Sequence, residues 1–405
     1  LGTLSRIPAS LSPSTPGGGR KRLLIAVFVI LFLLVGSTIG ALYAFSPKHT
    51  SPPAISTVGE VTFFNSGQLN AQNSQGVDDE VQVNLHNLPN PTAGASYYAW
   101  LKNAPIADEG TWVLLGTLQV HQGNAQLPSP YQNPQHADLL VNASSFLVTE
   151  EASNITPTQP STDHSAWRFF SDPAQITLLH LRHLLAGSPE LNLRQLYGGL
   201  GIWLWRNTEK IVEWAGSARD ELSNHPPDTG LIHRQLIRIL DYIDGEASVS
   251  MDVPPNTPLL VSQHDAQVAL VGPPPHLEPP GSLYNKPGEV IPGYVYLIET
   301  HLNAAVSAAQ ASAGQRQLAN QIDNAINQAM GYLEQVRQDA KQLVALNGAR
   351  LVTPQALSLL NDMAAAAQNA YAGPINPGQP QEGVNWIYSN LQDLATFAVQ
   401  PYTAA

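Results

Sequence analysis

Leu23 to Phe45, LLIAVFVILFLLVGSTIGALYAF, contains no charged residue. As a helix rising about 1.5 Å per residue it would slightly exceed a hydrocarbon core of roughly 30 Å, so this stretch predicts a transmembrane helix. Arg20, Lys21 and Arg22 stand immediately before it, whereas only Lys48 and His49 follow closely. The positive-inside rule then leaves the N-terminal tail in the cytosol and the bulk of the chain outside. A cleaved signal peptide is the competing reading, but its apolar region typically runs only about 7–15 residues and ends in a small-residue cleavage site that is not evident here. The expectation is a single-pass cell-membrane protein with a cytoplasmic N-terminus. Gly36 and Gly40 form a GxxxG, the spacing that lets two helices pair closely, so a homodimer through them stands against the alternative that the glycines are incidental.

On either side of this segment the composition is polar. Residues 1–22 are rich in Pro, Ser and Gly and predict a disordered tail, and residues 46–57 predict a linker. The remainder of a 405-residue chain is enough for two domains. A net charge of −12 with one dense basic run, Arg20–Arg22, excludes a nucleic-acid partner, because phosphate binding needs a concentrated Lys/Arg surface. With no cysteine, disulfides, thiolate nucleophiles and zinc ribbons are excluded together, and a large outside region lacking disulfides fits a bacterial envelope. The expected partners are the membrane and an envelope or regulatory protein.

From Gly59 to Phe170 the apolar residues alternate: Val61 and Phe63, Val81, Val83 and Leu85, Tyr98 and Trp100, Val113 and Leu115. Period two predicts strands, and turn clusters such as Asn73-Ser74-Gln75-Gly76 and His121-Gln122-Gly123-Asn124 predict an antiparallel β-sandwich over residues 58–172. Within it, Leu85-His86-Asn87-Leu88-Pro89 is followed by Tyr97-Tyr98-Ala99-Trp100-Leu101, then Leu115-Gly116-Thr117-Leu118, Gly123, Phe146-Leu147-Val148-Thr149-Glu150, Pro157 and Pro160. This progression resembles the extracytoplasmic C-terminal domain of the anti-sigma-K factor family. The resemblance implies a β-sandwich and a regulatory role, a sensor or protein-interaction module without the family's cytosolic sigma-binding region. Ala152-Ser153-Asn154 stands where that family has a glycine pair. Trp100 and Trp112 are expected to pack as a core pair, and Glu150 and Glu151, adjacent on a strand, point to opposite faces and cannot act as a paired acid and base.

After Asp172-Pro173 the period becomes 3.6. Helices are predicted over residues 174–186, 189–223, 229–244, 292–346 with a break near Ala313-Gly314, 354–371 and 382–398, giving a helical domain over residues 173–405. Thr353-Pro354 is a start signal, and Gly245 and Gly373 are stop signals. Residues 246–291, with Pro254-Pro255, Pro273-Pro274-Pro275 and Pro279-Pro280, predict a proline-rich crossover around a small hairpin. The fold class is therefore α+β multidomain: a single transmembrane helix, an antiparallel β-sandwich and an α-helical bundle-like domain.

No nucleophile elbow, P-loop, HExxH or EF-hand loop occurs, so no enzyme and no cofactor is expected. The alternative to an interaction module is an outside helical protein that binds a metal or haem, because the chain carries 12 histidines. His180 and His183 are three apart on one helical face, away from the Leu178-Leu181-Leu185 stripe, which predicts that they are solvated. His301 falls among Tyr294, Leu297, Ile298 and Ala305 and is expected to be buried, with His233 at the border of the Ile232-Leu236-Leu240 stripe. These four are the candidate metal ligands, weighed against the commoner role of a hydrogen-bonded core histidine.

Overall fold

A computed structural model describes residues 57–67, 73–106, 109–272, 290–307, 311–378 and 380–403, all within one compact unit. The tail, the predicted membrane helix 23–45 with Gly36 and Gly40, and all but the last residue of the 46–57 linker lie outside the described residues. Among the described residues no helix is long and apolar enough to cross a membrane. The expected single-pass, membrane-located architecture is corrected on this finding: the structure gives it no support. The longest described helix, Ala313–Val344, shows why, since Arg316, Asp323, Glu334, Arg337 and Lys341 are spaced along it and only one stripe is buried.

The β-sandwich is also corrected. Among the described residues ten strands form one antiparallel sheet: β1 (Gly59–Phe64), β2 (Glu80–Leu85), β3 (Ala95–Ile106), β4 (Glu109–Thr117), β5 (Gln119–His121), β6 (Asn124–Gln126), β7 (Tyr131–Gln132), β8 (Ala143–Ala152), β9 (Trp167–Ser171) and β10 (Thr396–Pro401). The order is β4-β3-β8-β9-β10-β1-β2-β6-β5, with β7 on β2. The two ends of this path, β4 and β5, are separated in the chain by Leu118 alone, so the sheet bends round into a nearly closed barrel. The strand that joins the two halves is β10. Residues 382–398 were expected to be helical to their end, but Thr396-Phe397-Ala398-Val399 has β-branched and aromatic residues at period two, and Phe397 and Val399 point inward. Val61 faces Val83 on one side and Phe397 on the other, and the Phe63 and Phe397 rings lie 4.9 Å apart. Gly59, at φ 145°, sits so close to β2 that a Cβ would overlap the Asn84 carbonyl, which only glycine permits.

Among the described residues the helices of ten residues or more are α1 (Gln175–Leu185), α2 (Leu200–Glu221), α3 (Thr229–Asp244), α4 (Tyr294–Ser307), α5 (Ala313–Val344), α6 (Pro354–Ala372) and α7 (Val384–Asp393). Thr353 caps α6 with Pro354 in its first turn, and Ser312 and Gln315 form a capping box that starts α5. Because β10 follows α7 directly, the helical region is covalently bracketed by β9 and β10. One continuous apolar core runs from Phe63 and Phe397 in the barrel to Leu333 and Leu360 between the long helices. A sandwich followed by a separate bundle is thus replaced by one barrel-plus-helix body.

Two smaller expectations change as well. The described part of the proline-rich crossover contains no hairpin strand. Instead, Leu270 and Val271 N–H groups bond the Tyr242 and Ile243 carbonyls at the end of α3, and Leu260 N–H bonds the Asp241 carboxylate at 2.8 Å. Trp100 is fully buried with its indole N–H bonded to Thr149 Oγ1 at 2.9 Å, but it packs with Tyr98 and Leu147 in a separate cluster, where Trp112, Leu114, Trp167 and Phe170 cover it.

Candidate metal centre

The geometry of α1 begins with its flanks. Leu178 and Leu181 enter the common core, and on another side Arg182 reaches the barrel, Nε donating to the Leu140 carbonyl at 3.1 Å and a terminal nitrogen to the Ala143 carbonyl at 2.7 Å. Helix α4 packs against the face left over, and α4 buries Tyr294, Leu297, Ile298, His301, Leu302 and Ala305. An eleven-residue helix wedged in this way leaves Gln175, Ile176 and Leu179 as its exposed residues. His183 is therefore 4% exposed and His301 7%, while His180 is half-buried. The expectation that His180 and His183 are solvated is corrected: the i, i+3 spacing aims both rings at His301 across the helix contact.

His301 Nδ1 lies 2.9 Å from His180 Nδ1 and 3.3 Å from His183 Nδ1. One nitrogen from each ring can be chosen so that all three lie within 4.8 Å of one another. His233 is half-buried on α3 and does not join the group. An imidazole nitrogen offers either one N–H or one in-plane lone pair. His301 Nδ1 can thus complete one good hydrogen bond, to one of its two neighbours. One of the two close contacts is then left without a linear hydrogen bond of its own, and a cation accepting all three lone pairs would satisfy both neighbours at once.

Electrostatics keeps His301 and His180 in the ligating form. Burial, then any charge on His183 and His180, pushes the His301 pKa down to about 3. Burial also lowers that of His180. Neutral imidazole is what a metal needs, so protons compete weakly here. Zinc bound by imidazole sits about 2.0–2.1 Å from each nitrogen, which in a tetrahedron separates the nitrogens by about 3.3 Å. The His183–His301 distance already matches, and the more exposed His180 is the side chain free to adjust.

Other buried or half-buried polar groups escaped the sequence reading. Asp78 is fully buried, at φ 43°, and neither of its carboxylate oxygens has a hydrogen-bond partner among the described residues. Burial, followed by the neighbouring Asp79 charge, raises its pKa to about 7, so about half of it is the neutral acid at pH 7. His264 is placed between two acceptors, Asp265 Oδ1 at 2.8 Å and the Gln195 carbonyl at 3.0 Å, and both ring nitrogens must donate. Burial alone would lower its pKa, but the bonds to Asp265 and Gln195 outweigh it and raise it. Nothing in the spacing of these residues marked them, since each depends on contacts across the fold.

Glu150 and Glu151 do diverge. Glu150 pairs with Arg168 at 2.6 Å, whereas Glu151 accepts from Thr149 Oγ1 at 2.7 Å. Comparison with family models, curated proteins and solved structures finds no match, and so nothing that bears on the anti-sigma-K resemblance.

Proposed function

We propose that the protein binds one divalent transition-metal ion, of the zinc class, through His180, His183 and His301, and that the ion staples α1 to α4. The observation that carries this reading is the convergence of three ring nitrogens from two helices within 4.8 Å. Imidazole donors without thiolates suit zinc, copper or nickel, while a site of three neutral nitrogens is a poor match for calcium or magnesium, which prefer oxygen. A haem is disfavoured because nitrogens 2.9 Å apart leave no room for a macrocycle between them. Joining two helices by an ion also gives the chain what a sensor requires, a contact whose stability depends on ligand.

The test is equilibrium dialysis of the full chain against zinc with elemental analysis. One retained ion per chain is expected, with His183→Ala and His301→Ala each weakening retention more than the 10–100-fold typical of losing a supporting residue. Failure to retain zinc, copper or nickel, or retention unchanged in His301→Ala, would refute the assignment.

A further inference from the structure

Three protein donors leave a tetrahedral ion one ligand short. Among the described residues no carboxylate joins His180, His183 and His301 in the group, and the chain has no thiol to offer. The three donors are neutral, so a bound divalent ion keeps its double charge, and the group that completes its shell is favoured if it is negative. Access is one-sided. His183 and His301 are buried in the α1–α4 contact, and His180 alone is partly exposed.

A second feature lies on that side. Thr177 is one helical turn before His180 on α1, and its hydroxyl is buried with no hydrogen-bond partner among the described residues. Thr177 and His180 are three residues apart on α1 and so share one helical face. A buried hydroxyl costs stability when unpaired, and this one belongs to the face of α1 that carries His180.

Resting on the metal reading above, we infer that the centre has an open fourth position on the His180 side, taken by solvent or exchanged for a small inorganic anion, with the Thr177 hydroxyl as a hydrogen-bond partner of that ligand. Three protein donors plus an exchangeable one is the arrangement of metal sites that bind small molecules, whereas sites serving structure alone are closed by four protein ligands. Solvent held this way on zinc ionises near pH 7.

Cobalt(II) is the probe, because its visible bands report coordination number and ligand type. The full chain is loaded with cobalt and titrated with azide and with thiocyanate. The expected result is cobalt bands that shift saturably with each anion, and a pH-dependent change of the anion-free spectrum centred at about pH 7. Thr177→Val should weaken the anion about tenfold when compared with the wild type at equal cobalt loading. Cobalt that binds but whose bands ignore both anions would overturn the open position and leave the three-histidine site standing. Chain that takes up no cobalt would overturn the metal reading itself and this inference with it. Equal anion affinity in Thr177→Val would remove Thr177 from the proposal.

Discussion

Acid should destabilise this fold through His301 in a defined pH window. In the folded chain its pKa is about 3, against 6.5 for an exposed imidazole. Between these values the unfolded chain binds a proton that the folded chain refuses, so stability is intact above about pH 6.5 and declines as pH falls toward 3. At pH 5, one and a half pH units below 6.5, the loss at 1.36 kcal/mol per unit is about 2 kcal/mol. Buried carboxyl groups act in the opposite sense. Asp78 and Asp244, both raised to about 7, are stabilised in the protonated form and lose that contribution as pH rises. The total curve therefore mixes signs, and a difference measurement isolates the histidine. Urea melts of the full chain and of His301→Leu, which fills similar space without a titrating group, should be taken from pH 7 to pH 4. The wild type should lose about 2 kcal/mol more than the variant between pH 7 and pH 5. Zinc at a hundredfold excess over its dissociation constant should add about 2.7 kcal/mol to the wild type at pH 7 and nothing comparable to the variant. Parallel curves with pH would refute the claim that a neutral imidazole is buried between α1 and α4.

The other consequences concern the joints of the fold. Phe397→Ala empties a fully buried position where β10 meets β1, and should cost about 3–5 kcal/mol in the same urea melts, with barrel and helices still unfolding in one transition. Arg337 on α5 lies 2.6 Å from Asp244 and 2.7 Å from Asp252. In the same urea melts Arg337→Met should cost less than the about 3–5 kcal/mol of a broken buried pair at pH 7, because Asp244, already raised to about 7, can take up a proton and Asp252 keeps Lys341 at 2.7 Å, and less again at pH 5, where Asp244 is protonated. His264 has a raised folded pKa, so its contribution is full below 6.5 and is lost as pH rises through the raised value. Asp265→Asn should bring the His264 ring titration in NMR back down toward 6.5.

What could be read from the sequence was whatever depends on near neighbours along the chain. The 97–118 stretch pairs as β3 and β4, the 3.6-residue period places α1, α3 and α6 within a residue or two, and the break near Ala313 separates α4 from α5. The failures share one cause, which is long-range closure. Nothing local says that Thr396–Pro401 returns more than three hundred residues later to pair with β1, yet that pairing turns a sandwich and a bundle into one body. The same limit governs the metal centre. A helical wheel assigns one buried stripe per helix, a rule that fits a helix lying on a single surface. Helix α1 has two, because Arg182 ties one flank to the 140–143 segment of the barrel while α4 covers another. His180 and His183 were assigned to water because the leucine stripe had been given the only inward face. His301 was placed inward because α4 obeys the one-stripe rule. Its partners lie more than a hundred residues away, and their shared i, i+3 spacing gained meaning only when a second helix supplied the third nitrogen. In a short helix whose polar residues include both an arginine and an HxxH pair, the apolar stripe alone is thus a poor guide to which polar residues stay wet.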